Sequence, residues 1–133
     1  MSDLYVSRGA GRVQVARSVW FNIDNGSGVT IDDVILYVSQ PIKITAARIV
    51  YVDATTGTVA AGTAQIGTTV GGVELVAATA YENTKTVGSV TAMTLTAAAA
   101  RVAANTMIIV RHTGIASTAA GQAVVLIEFI PLS

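Results

Sequence analysis

The chain has 133 residues, eight basic and eight acidic, so its net charge is zero and only 12% of its residues are charged. The absence of a positive field to displace counterions from phosphates argues against a nucleic-acid binder, and without cysteine the chain has no disulfide, thiolate metal site or thiol nucleophile. The length predicts one domain, and so charge-poor a surface predicts that much of it is covered by copies or partners.

Residues 1–12 carry no hydrophobic period and include SRGAGR, with two glycines and two arginines. They are predicted to form an extended N-terminal arm ahead of a β-domain over 13–133. No basic region followed by an apolar run opens the chain, so no signal peptide is expected. From residue 13 strict alternation begins. Val13, Val15, Val19, Phe21 and Ile23 share one parity with Arg17, and Gln14, Ala16, Ser18, Trp20 and Asn22 share the other. This predicts one half-buried strand with the valine side inward.

Asp24-Asn25-Gly26-Ser27-Gly28 predicts a hairpin turn, because Asn-Gly supplies positive φ angles. It lacks the second oxygen ligand and the twelfth-position glutamate of an EF-hand loop. Further strands are expected at about 29–39, 42–53, 58–67, 73–79, 87–96, 106–113 and 122–130. The breaks between them are rich in glycine or polar residues. One of them, GTTVGG, lacks the Gly-Lys-Ser/Thr ending of a phosphate loop, so its glycines are read as turn residues. Within TLTAAAARVAAN, residues 94–105, the best helix-forming residue occurs four times in a row between two strands. An isolated helix of that length is marginal. The segment is predicted to be a connecting loop of one or two helical turns lying on the sheet, ended by Asn105.

Valine, isoleucine and threonine number 19, 12 and 17, against six leucines. Branching at Cβ suits a pleated surface, so the composition points to an all-β protein. Short strands at about ten-residue spacing predict a single-domain β-sandwich, jelly-roll-like, with at most one short helix. The longest uncharged window, 54–73, holds five glycines and six threonines, poor material for a membrane span. Three strands are apolar on both sides: Val34–Val38, Met107–Val110 and Ala123–Ile127. Each needs a second covering, either a loop of its own chain or another subunit.

Candidate chemistry is sparse. His112 is the single histidine, so one chain cannot build a two-histidine metal site, and no G-x-S-x-G pattern occurs. It is read as a strand-end histidine in an ordinary hydrogen bond. Asp32 and Asp33 are adjacent and point to opposite faces of a strand; they are read as solvated or turn-capping. No enzyme activity, cofactor or metal is expected. Arg8, Arg12 and Arg17 against Asp3 make the first twenty residues positive. With Trp20 they form the candidate partner-binding set: arginine forks for an acidic surface and a tryptophan anchor.

From about Ile42 to Leu132, roughly two thirds of the chain, the sequence resembles head decoration or cement proteins of tailed phages, the similarity lying in ITAARIVYVDATTGTVAAGTAQIGTTVGGVELVAATAY and TLTAAAARVAANTMIIVRHTGIASTAAGQAVVLIEFIPL. The resemblance implies a β-sandwich or jelly-roll homotrimer, or another small oligomer, on the outer capsid surface of the virion, clamping neighbouring major capsid subunits. It carries no catalytic residue over. The alternative is a tail-fibre, spike or receptor-binding module, against which the 5% aromatic content counts.

Overall fold

The computed structural model describes residues 12–132. Nine strands follow in chain order: β1 Gln14–Arg17, β2 Phe21–Asn22, β3 Thr30–Val38, β4 Ile42–Thr56, β5 Thr63–Gly67, β6 Val76–Ala80, β7 Val90–Met93, β8 Thr106–Thr113 and β9 Ala120–Pro131. The alanine run makes one 3-10 turn, Ala97–Ala100, with Ala99 buried against the sandwich. Val102 then bridges to Ile42, and Asn105 turns the chain with a positive φ.

The pairing is nested. β5 pairs with β6, β4 with β7, β3 with β8, and β1 and β2 both with β9, all antiparallel. The chain is thus one long hairpin folded back between β5 and β6. Rolling that hairpin sets β4 beside β9 and β5 beside β8. Two sheets result, β1/β2-β9-β4-β7 and β3-β8-β5-β6. This is the winding of a jelly roll, as the spacing of strands led one to expect.

Inward residues of both sheets form the core, among them Phe21, Ile23, Ile49, Tyr51, Ile66, Tyr81, Ile108, Val110, Val125 and Ile127. Buried hydroxyls are satisfied within it. Tyr51 Oη lies 2.7 Å from Thr91 Oγ1 and accepts from the Glu82 backbone N–H at 2.9 Å. His112, fully buried in β8, lies with Nδ1 2.6 Å from Tyr81 Oη and Nε2 3.0 Å from Asn25 Oδ1, its ring stacked on Phe21.

Two expectations need correction. The first strand is broken: Arg17 faces Leu126, but Phe21 faces Ala123, so β1 and β2 carry one residue more than β9 over that stretch. An inserted residue flips every side chain on one side of it. Phe21 and Ile23 are buried, whereas Val13, Val15 and Val19, predicted inward with them, are exposed; Ala16 and Ser18 turn inward instead. The Asp24–Gly28 turn is also no hairpin. β2 and β3 belong to different sheets, so the turn is a corner between layers. Gly26 and Gly28 do take the positive φ expected there.

Candidate interaction surface

The outer face of the four-stranded sheet is partly covered by its own chain. Gly67 points outward in register with Ile109. A Cβ on Gly67 would come within 2.5 Å of Gly72 and of Glu74 Oε1, so the 68–74 loop lies directly on the sheet. Glu74 ties that loop, accepting from Thr68 N at 2.9 Å and Thr69 Oγ1 at 2.8 Å, and these bonds hold its carboxyl below the usual range. Gln65 Nε2 donates to the carbonyls of Gly71 and Gly72. Beside the loop, Arg111 grips Asp32 with two parallel bonds, Nε to Oδ1 at 2.8 Å and Nη2 to Oδ2 at 3.0 Å. The guanidinium holds that carboxyl below its ordinary value. Ile109 is therefore buried by its own chain, one of the two coverings the sequence left open.

The edge beyond it is bare. Here β1, on the rim of one sheet, meets β3, on the rim of the other, and the Val19 N–H donates to Asp33 Oδ2 at 2.8 Å. Asp32 and Asp33 do point apart, but both are bonded rather than simply solvated. The join between β1 and β2 presents Val19 and Trp20, and β3 presents Ile31, Val34 and Tyr37, with Met107 opposite Tyr37 on β8. All six are exposed, Trp20 at 61% and Tyr37 at 58%. The described residues include six aromatic side chains of Phe, Tyr and Trp; four are in the core, and the two exposed ones both lie on this edge. Exposed aromatics in an apolar patch are the side chains that dominate binding energy when a partner desolvates them.

The predicted partner-binding residues fall unevenly on this surface. Trp20 is on it. Arg17 is exposed on β1, its guanidinium donating to the Ser18 carbonyl at 3.3 Å. Arg12 is exposed just ahead of β1, while Arg8 and the rest of the predicted arm lie outside the described residues. Sequence reasoning did not single out Val34, Tyr37 and Met107. Their signal was present in the two strands apolar on both sides: these are the outward-facing members.

The outer face of the five-stranded sheet mixes apolar side chains with Arg17, Lys43, Arg48, Asp53 and Glu128. Register places Val13, Val15, Ala46, Val50, Val90, Ala92, Val124, Leu126 and Ile130 outward. Val13, Val15 and Val90, on the two flanking strands, are exposed at 55%, 58% and 44%. In the middle one ion pair crosses from β4 to β9, Arg48 Nη1 to Glu128 Oε2 at 2.8 Å. A third feature sits at the end where the β2–β3, β4–β5 and β8–β9 loops meet: a cleft of about 300 Å³, lined by Ser27, Thr58, Thr113 and Thr118 with Gly28 and Ile115. Among the described residues no three His, Cys, Asp or Glu side chains are grouped to hold a metal ion, and no helix is long and apolar enough to cross a membrane.

No protein-family model matches the chain, and no curated protein matches it by sequence. Solved structures do match. A chain of the cyanophage Pam1 capsid asymmetric unit superposes with a TM-score of 0.63 at 12% identity, over 99% of this chain and 93% of that one. Chains of infectious bursal disease virus are more distant: the Gx strain structure has a TM-score of 0.40 at 15% identity, and this chain spans 33% of that one. The VP2 subviral particle of the same virus gives 0.35 at 15% identity, over 38% of its chain. At 12% identity the likeness to the cyanophage capsid chain shows a shared fold.

Proposed function

We propose that this protein is a non-enzymatic virion structural protein that binds the outside of a phage capsid as a homotrimer and cements neighbouring major capsid subunits. The observation that carries the reading is the end-to-end match with a chain of a cyanophage capsid. The match takes in 99% of this chain and 93% of that one. The edge bearing Trp20 and Tyr37 supports it from the other side, as an apolar anchor for a shell subunit, with Arg12 and Arg17 nearby in sequence to pair with shell carboxylates. The mechanism is mass action. A trimer bridging shell subunits adds contact area that must be lost before the lattice opens, and three linked sites turn modest contacts into avidity.

The test is to add purified protein to shells that lack it and to heat them. The temperature at which the shells open rises on this account; shells that open at the same temperature with saturating protein contradict it. One feature favours the second reading, a receptor-binding module of a phage tail or spike: the hydroxyl-lined cleft between the loops has the size and uncharged polarity of a sugar site. Clear hits on a glycan array, abolished by Thr113→Val, support that reading instead.

A further inference from the structure

We infer that the half of the five-stranded sheet's outer face nearest the start of β1 is a cationic contact for the carboxylates of a partner protein; on the cement reading, on which this rests, the partner is a shell subunit. Ile42 and Val102 exchange both backbone hydrogen bonds, at 3.0 and 2.8 Å, and both are buried. Lys43 and Arg101 are the next residues along these two antiparallel segments, and Arg101 is extended, with φ −154° and ψ 109°. Alternation therefore turns both to the solvent side, across from each other, where such residues stand about 5 Å apart. Both are exposed, and neither makes an ion pair among the described residues. Like charges facing each other across strands destabilise a fold when nothing neutralises them.

The pair is not isolated. Register sets Lys43 beside Ile130, and Arg17 and Arg48 on either side of Leu126. Four cations thus share this half of the face with one carboxylate, Glu128, which Arg48 already engages at 2.8 Å. Asp53 lies toward the far end, level with Gln122, and its Oδ1 accepts from the Ala54 N–H. By contrast Lys85 and Arg111 each have a carboxylate partner, Glu82 and Asp32. Charge therefore selects the occupant. Partner carboxylates over Lys43 and Arg101 relieve the repulsion, meeting a point charge and a planar fork side by side. A second copy laid face to face brings the same positive excess and is disfavoured. Arg17 lies on β1, the rim strand beside the Trp20–Tyr37 edge, so the cationic and apolar surfaces are continuous.

Thermal melts of the free chain at low salt test this first. Arg101→Glu, and separately Lys43→Glu, is expected to raise Tm by about 1–4 °C, because each gives the remaining cation a partner. No rise in either variant means that the pair is already neutralised, and overturns the assignment. Soluble poly-glutamate then stands in for the partner. It should raise the Tm of wild type and of Lys85→Gln, but not that of Arg101→Glu; equal effects on wild type and Arg101→Glu, or none on wild type, overturn the assignment. A rise with duplex DNA and none with poly-glutamate would mean a phosphate partner and also overturns it. With shells that lack the protein, Arg101→Glu should bind roughly tenfold more weakly than wild type at low salt, despite its higher Tm. Wild type that is stabilised by poly-glutamate yet ignores the shells contradicts the cement reading and leaves the carboxylate contact standing.

Discussion

The environment of His112 fixes its protonation state. An amide oxygen only accepts, so Nε2 carries the proton given to Asn25, and Nδ1 accepts from the Tyr81 hydroxyl. Burial lowers the pKa of the ring from 6.5 to about 4, and the Tyr81 phenol is pushed up by the same cause. Between those values the unfolded chain takes a proton that the folded chain refuses. The contribution of His112 to stability is therefore full above pH 6.5, falls as the pH drops through that window, and levels off below about 4, for a loss of about 3 kcal/mol. Urea unfolding from pH 7 to 4 checks this, with His112→Gln expected to flatten the slope. Tyr51→Phe strips the Glu82 N–H of its buried acceptor and should cost about 1–3 kcal/mol in the same assay. Gly114→Ala should also weaken the fold, because a Cβ there runs into Asn25 Oδ1 and drives it from the histidine. The sequence showed a lone histidine and the lack of a catalytic constellation around it. It could not show the lock: Asn25, Tyr81 and His112 are far apart in the chain, and only the roll brings them together.

Among the elements, the broken first strand separates what alternation can tell from what it cannot. Val13 to Ile23 reads as one flawless period-two strand, yet a single added residue between Arg17 and Phe21 reverses the faces on its two sides. No sequence pattern marks the bulge, because valine suits the outside of this sheet as well as the inside. The reversal predicts unequal effects from residues that alternation makes equivalent. Val19→Ala should change stability by no more than about 0.5 kcal/mol, whereas Phe21→Ala should cost about 3–5 kcal/mol. Thermal melts of the two variants decide the matter, and equal losses would mean that the strand is continuous. Elsewhere local signals sufficed. β8 begins and ends where its β-branched run does, and β3 and β9 fall within two residues of expectation at each end. The short strands are shorter than their sequence suggests: β5 starts at Thr63, not 58, and β7 spans four residues rather than ten. Glycine and threonine there serve loops as well as strands. The alanine run was legible as a small packed turn because nothing else fits so close to a sheet.

At the scale of the whole molecule, composition announced an all-β sandwich and strand spacing a jelly roll, but the nesting of first strand with last is a long-range pairing that no local pattern encodes. The same holds for the exposed edge. Trp20 stood out by its type, while Tyr37, Val34 and Met107 join it only because two sheet rims meet there. The charge-poor, neutral composition now has a physical reading. On the proposed function the exposed apolar edge meets a shell, and a strongly charged exterior would oppose that contact. Co-sedimentation with capsids that lack the protein tests that contact most directly. Wild type should pellet with the shells to a fixed, saturable stoichiometry, and Trp20→Ala/Tyr37→Ala, folded as judged by its melting, should bind at least 100-fold more weakly. Wild-type protein that stays in the supernatant at every concentration, or a double variant that pellets as well as wild type, contradicts the account.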